Sequence, residues 1–167
     1  MAPILYRGIF ITLVSMTIKP LGRSHVALAS ELIEAVSKQY SKDDFTVEGF
    51  DLFRSKVLHA GMKKNLEEGY RYWGAFESAQ LVGLIAMKPP AHLYNLFVSG
   101  DHHRRGIARA LWNHVIHALD PQCVTVYSSS YAIELYRKFG FVQSGEKLED
   151  QGVICYPMVW RKDQSTD

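Results

Sequence analysis

The run His103-Arg-Arg-Gly-Ile-Ala-Arg109 combines side chains that bind anions with a backbone that little obstructs. A short apolar run ends at Val98, a polar loop follows, and a helical pattern opens at Gly106. The first turn of any helix leaves about four N–H groups without intrahelical partners and carries roughly half a positive charge. Gly106 and Ala108 keep that turn bare, so a phosphate can approach the backbone while Arg104, Arg105 and Arg109 close over it. The stretch reads as a pyrophosphate cradle. It is neither a Walker loop, which needs Gly-x4-Gly-Lys-Ser/Thr, nor the Gly-x-Gly-x-x-Gly of a dinucleotide fold. Spacing alone leaves two other readings open, a DNA-recognition helix and a solvated basic turn. Against DNA, Ile107, Leu111 and Val115 recur at helical spacing beside Ala108 and Trp112, which commits much of that helix to a core.

A second pattern lies downstream, Ser129-Ser-Tyr-Ala-Ile-Glu-Leu-Tyr-Arg-Lys-Phe-Gly-Phe141. Together the two stretches resemble the GNAT superfamily of N-acetyltransferases. Val98 to Leu111 is similar to its Gln/Arg-x-x-Gly-x-Gly/Ala motif, with His103 where the family prefers Gln or Arg. The second stretch matches at Ala132, Tyr136, Gly140 and Phe141, with Ser129 in place of the common Asn. The likeness runs over roughly residues 16 to 160. It implies an α/β (α+β) fold whose mixed, mostly antiparallel sheet of about seven strands splays between its fourth and fifth strands, with about four flanking helices.

The resemblance also implies a reaction, transfer of an acetyl group from acetyl-CoA directly to an amine. The acceptor would be a small primary amine or a peptide or protein amine. Backbone groups of Leu96, Phe97 and Val98 would pair with the pantetheine arm of the cofactor. The N–H groups of Arg104, Arg105, Gly106, Ile107, Ala108 and Arg109 would hold the pyrophosphate, beside His103. Ser129 would hydrogen-bond the arm, although a plain helix cap explains that serine as well. Tyr136 stands at the family's general acid, next to a departing thiolate whose thiol has a pKa near ~8.5; its other reading is an aromatic packing residue. His92, at the start of the fourth strand, stands where a base is often found. Ala91-His-Leu93 resembles the arylalkylamine branch, in which two alternating histidines serve; Tyr94 occupies the second place. Strand alternation puts His92 and Tyr94 on one face, which suits a His–water–Tyr relay. Asp43, Asp44 and Glu48 fall where the family builds its acceptor pocket, and their carboxylates would attract a cationic amine.

The elements that must position these residues follow from the patterning. Strands are predicted at Met16 to Lys19, Tyr72 to Phe76, Leu81 to Met87, His92 to Val98 and Cys123 to Ser128. Ser24 offers an N-cap to a helix reaching about Ser37, and a second helical region from Phe50 to Leu66 is a candidate for splitting at Gly61. Ala132 to Phe139 patterns a short helix closed by Gly140. Phe141 to Lys147 and Val153 to Trp160 form a hairpin across residues 150–152, in which Pro157 predicts an interrupted or edge strand.

Composition bounds the rest. A chain of 167 residues with 47% hydrophobic and 22% charged content is an ordinary soluble domain. We read residues 16–162 as one acetyltransferase domain, 1–15 as an apolar extension suited to an extra strand or a homodimer contact, and 163–167 as a polar tail. A formal charge of +2 argues against nucleic acid as a partner. The apolar start is too short to span a membrane. Two cysteines give no disulfide framework, so a reducing cytoplasm is the expected setting. His102 and His103 lack further ligands at metal-site spacing, so no metal is expected. The rivals are a toxin-type member of the same superfamily acting on aminoacyl-tRNA, and a non-catalytic CoA-sensing or DNA-binding module.

Overall fold

The computed structural model describes residues 4–6, 9–11 and 15–164. Two short strands, β1 (Ile4–Tyr6) and β2 (Ile9–Ile11), pair antiparallel in a sheet of their own. Strand β3 (Met16–Leu21) opens the main sheet. Three helices follow, α1 (Val26–Tyr40), α2 (Val47–Val57) and α3 (Ala60–Glu67). Strands β4 (Arg71–Glu77), β5 (Gln80–Lys88) and β6 (His92–Val98) come next, then helix α4 (Ile107–Leu119) and strand β7 (Cys123–Ser128). Helix α5 (Ile133–Lys138), β8 (Val142–Gln143), β9 (Leu148–Asp150) and β10 (Val153–Arg161) complete the described order. The sheet runs β3-β4-β5-β6-β7-β10-β8, with β9 also on β10, and β6–β7 is its parallel pair.

Strands β4 and β5 read as unbroken apolar runs because both of their faces are covered. Along β5, Val82, Ile85 and Met87 pack toward α4, whereas Leu81, Leu84 and Ala86 pack toward α1 and α3. Helix α4 turns Ile107, Leu111, Trp112 and Val115 inward. Trp112 stacks on Phe139 at 6.0 Å and also meets Phe141 and Trp160. Aromatic pairs of this kind are each worth about 0.5–1.5 kcal/mol beyond buried area. They hold α5, and with it Tyr136, against the rest of the core.

Three local expectations are corrected. Ser24 does not cap α1: a 3-10 turn at Arg23–His25 takes it in, His25 becomes the cap residue, and its ring nitrogen accepts from the Gly22 N–H at 3.1 Å. The helical region does split, but at Leu58–His59, where His59 has φ +42°. Gly61 lies inside α3, where a Cβ would stand 2.3 Å from the Ser55 carbonyl oxygen, so its role is close packing of α3 on α2. Of the two readings for Pro157, the edge is not found, while an interruption is, on one side of the strand only. Strand β10 lies between β7 and the β8/β9 side, and Pro157 falls where its partner changes from β9 to β8. Its carbonyl still accepts from the Ser144 N–H at 2.9 Å, and only the missing donor is lost.

The β9–β10 turn is the two-residue hairpin expected across 150–152, with Gln151 at φ +50° and Gly152 at φ +77°. Its tip rests on the start of α2. The Thr46 N–H donates to the Gly152 carbonyl at 2.8 Å, and Thr46 Oγ1 caps the helix through the Gly49 N–H at 3.0 Å. The five α-helices among the described residues exceed the expected four because α2 and α3 are separate. The proposed contact through residues 1–15 concerns side chains that, Ser15 apart, lie outside the described residues.

Candidate active site

Strands β6 and β7, the fourth and fifth of the main sheet, pair only at His92–Thr125 and Leu93–Val126 and then part. An irregularity in β6 accompanies the parting. Ala86 of β5 faces Asn95 while Met87 faces Leu93, which leaves Tyr94 out of register. The side-chain phase flips across that point. Leu93, Leu96 and Val98 face the α4 core, whereas Tyr94 and Phe97 face the α1–α3 core. Two cavities occupy the opened cleft and share the walls Ser41, Leu96, Phe97, Ser129 and Ala132.

The first cavity, of about 480 Å³, extends to the start of α4 and is lined there by His103, Arg104, Gly106, Ile107, Ala108 and Arg109, with Val98 beside them. Arg104 (φ +61°) and Gly106 (φ +77°) are both left-handed, a backbone form that gathers successive N–H groups into an anion-binding concavity. Ile107 contributes backbone only, because its side chain is buried in the core. The arginines do not close together. Arg105 Nη2 donates to Glu77 Oε1 at 2.6 Å, and His102 Nε2 lies 3.4 Å from the other oxygen of Glu77. Arg105 is therefore drawn away from the cavity wall, which Arg104 and Arg109 line. Arg109 donates to the Lys138 carbonyl at 2.7 Å and lies over Phe139. His103 Nε2 donates to the Val98 carbonyl at 2.8 Å, and its ring stacks on Tyr40 at 4.8 Å. Ser129 Oγ accepts from the Ala132 N–H at 3.2 Å, so the capping bond is present in a residue that also lines both cavities.

The second cavity, of about 520 Å³, brings together Tyr136, His92 and Tyr94. Tyr136 is 5% exposed, packed against Phe139 and Phe141, and burial pushes its phenol well above the ordinary range. Its hydroxyl has no hydrogen-bond partner among the described residues. His92 Nδ1 shares a hydrogen bond of 2.8 Å with the Thr125 hydroxyl, and its ring lies 5.1 Å from Tyr127. Burial, assisted by the charge of Lys88, lowers its pKa from the usual 6.5. Burial raises the Tyr94 phenol, whose ring meets Tyr70 edge-on at 4.9 Å. Phe45, Phe53, Val57 and Ile154 supply apolar wall. Of the three carboxylates expected here, Asp44 lines this cavity, while Asp43 and Glu48, the latter in the first turn of α2, are exposed and do not. Cys155 is also on the wall, its thiol raised by burial and by Asp150 and Asp44.

Glu77 and Thr125 were not legible as site residues, because their partners lie 28 and 33 positions away and no short motif joins them. Tyr40, expected with the acceptor-pocket residues, instead lines the first cavity beside His103.

This arrangement agrees with the comparisons. The acetyltransferase (GNAT) domain family matches residues 41–162. The chain belongs to the GNAT acetyltransferase family, whose members use acetyl-CoA as acyl donor. Mouse N-acetyltransferase 8 is 32% identical over 116 residues, an alignment that takes in 58% of this chain and 51% of the mouse protein. The chain thus spans about half the length of the curated relative it matches. A GCN5-related N-acetyltransferase from Rhodopseudomonas palustris shares the fold, with a TM-score of 0.76 at 19% identity, over 90% of this chain and 98% of that one. So does the PaiA N-acetyltransferase of Thermoplasma acidophilum in complex with coenzyme A, with a TM-score of 0.74 at 17% identity, over 88% and 99%.

The residues present fit that cofactor. Around Gly106 a Cβ would meet nothing within 4 Å, so the backbone stands open at the helix start. The cavity continues from there between Leu96–Val98 and Ser129, a channel suited to an extended arm. Among the described residues no helix is long and apolar enough to cross a membrane.

Proposed function

We propose that the protein is an N-acetyltransferase that passes the acetyl group of acetyl-CoA directly to an amine, either a small primary amine or a protein amine, in a ternary complex. The observation that carries this reading is the meeting of two cavities at Leu96, Phe97 and Ser129, with Tyr136 on the wall beside the junction. Acetyl-CoA supplies an activated thioester. The backbone at 104–109, with Arg104 and Arg109, holds the diphosphate; Leu96, Phe97 and Val98 orient the arm. Holding both reactants at the junction converts a bimolecular encounter into a local one. Residues 16–162 form the catalytic domain, with 1–15 as an extension and 163–167 as a tail. Two unpaired cysteines suit a cytoplasmic setting.

Tyr136 acts on the leaving sulfur. A thiol near ~8.5 is a far stronger acid than a phenol raised above its usual ~10. Complete proton transfer from Tyr136 to the thiolate therefore runs uphill, and the residue serves by hydrogen-bond donation to the charge developing there. His92 takes the proton of the amine, directly or through a water shared with Tyr94. An alkylammonium near ~10.4 exceeds an ordinary imidazole near ~6.5 by about 4 units, roughly 5 kcal/mol. The apolar wall disfavours both cations, the ammonium and the His92 imidazolium, so the proton is passed on to water rather than held on the ring.

Release of free thiol from acetyl-CoA, followed across a panel of amines, peptides and aminoacyl-tRNA, tests the reading. An amine-dependent rate supports it, and absence of any amine-dependent release sinks it. Tyr136→Phe lowers kcat on the order of a hundredfold with the acetyl-CoA KM within about twofold of wild type. Unchanged kcat removes Tyr136 from the chemistry.

A further inference from the structure

We propose that Asp44 is the acceptor-recognition residue of the second cavity, and that it takes the acceptor as an ammonium ion attached to an apolar, aryl-sized body. The inference rests on the transferase reading for the identity of the cavity, though its test does not depend on turnover. Asp44 lies just before α2, is 4% exposed, and lines the cavity. Its Oδ2 accepts from the Ser130 N–H at 3.0 Å. No cationic side chain lies within 4 Å of it among the described residues. A carboxylate taken out of water without a counter-charge is costly, and one hydrogen bond recovers only part of the cost. The geometry therefore leaves a charge on the cavity wall whose natural complement is a cation from outside the chain.

The surroundings restrict what that cation carries. Phe45 follows Asp44 directly and packs on Phe50 and Phe53, at 5.5 and 5.1 Å between ring centres. Ile154 and Val57 continue that wall. The other charged groups on the lining, Lys56 and Asp150, are exposed, so the buried part presents one negative charge on an apolar surface. Ser130 adjoins Ser129, which lines both cavities, so the bond to Ser130 places Asp44 close to where the two cavities meet. A cation held by Asp44 lies near the junction with its body against the phenylalanines. A primary arylalkylamine in its ammonium form has this shape and charge.

Calorimetric titration of the CoA-bound protein with 2-phenylethylammonium and with 2-phenylethanol, its neutral counterpart, tests the assignment. Asp44→Asn keeps the shape and an oxygen for the Ser130 N–H while removing the charge. Wild type is expected to bind the ammonium and to prefer it over the alcohol. The substitution is expected to weaken ammonium binding on the order of ten- to a hundredfold, leaving the alcohol and CoA within about twofold. Three results overturn the proposal: no ammonium binding by wild type, equal ammonium binding by the two proteins, or parallel loss of CoA affinity. The last would show that Asp44 only holds the Ser130 turn. Failure of the transferase reading registers separately, as bound ammonium without thiol release.

Discussion

At the scale of single residues, the cavity around His92 decides its protonation. Desolvation is the larger influence and the positive charge of Lys88 the smaller, and both disfavour the imidazolium. The folded pKa lies below 6.5, so the neutral, proton-accepting ring is the form present at neutral pH. Acceptor kcat/KM is accordingly expected to be insensitive to the His92 titration at pH 7 and above, and to fall as pH drops below the ordinary histidine value. His92→Gln removes that acidic limb and lowers the plateau. Lys88→Gln, on an exposed side chain, removes the charge that depresses the ring and so moves the limb upward in pH. A pH–rate profile that His92→Gln leaves unchanged rules the residue out as base. That Tyr136 and His92 share one cavity was legible in the sequence, because each lies in a short pattern that the fold keeps intact. The direction taken by Arg105 was not, because its partner Glu77 belongs to a strand two elements earlier in the sheet. Nor was the solitary burial of Asp44 among three neighbouring carboxylates, which depends on which way a loop turns.

At the scale of elements, the proposed phosphate cradle is held from outside itself. Arg105 lies between the two left-handed residues Arg104 and Gly106, and its guanidinium is tied to Glu77 at the end of β4. Left-handed backbone at a non-glycine residue costs about 1–2 kcal/mol. An ion pair to a half-exposed arginine offsets only part of that. Glu77→Gln is expected to raise the acetyl-CoA KM roughly three- to tenfold at nearly constant kcat. A change in kcat without a change in KM contradicts the positioning role. The opposite wall depends on the hairpin tip. A Cβ at Gly49 would stand 2.0 Å from the Gly152 carbonyl oxygen, so Gly49→Ala forces the β9–β10 turn off α2. The expected cost is about 1–3 kcal/mol, seen as a melting temperature lower by several degrees, with acceptor KM raised more than acetyl-CoA KM. Strands β4 and β5 were legible because two-sided burial makes them apolar runs. The shift of register at Tyr94, the position of β10 between β7 and β8, and the split at His59 were not. Each is set by long-range pairing or by one residue's backbone angle, and neither leaves a periodic trace.

At the scale of the whole molecule, the parting of β6 from β7 lets two cavities meet inside one sheet. One cavity reaches the start of α4, the other is walled by Phe45, Phe53 and Ile154, and Asp44 stands near the walls they share. On the proposed direct-transfer reading, such a layout would let donor and acceptor reside together without a covalent acyl-enzyme. The thiol of Cys155, on the acceptor wall, is the nucleophile a covalent route would use. Burial and the charges of Asp150 and Asp44 all raise its pKa, which keeps it protonated and a poor nucleophile at neutral pH. Initial rates measured while both substrates are varied should therefore give intersecting double-reciprocal lines, as simultaneous occupancy requires. Parallel lines, the mark of an acyl group parked on the enzyme before the amine binds, would contradict the layout. Cys155→Ala decides between the two routes independently. Turnover that persists with lines still intersecting is expected from direct transfer, whereas abolished turnover in a folded variant that still binds CoA would assign the acyl group to that sulfur.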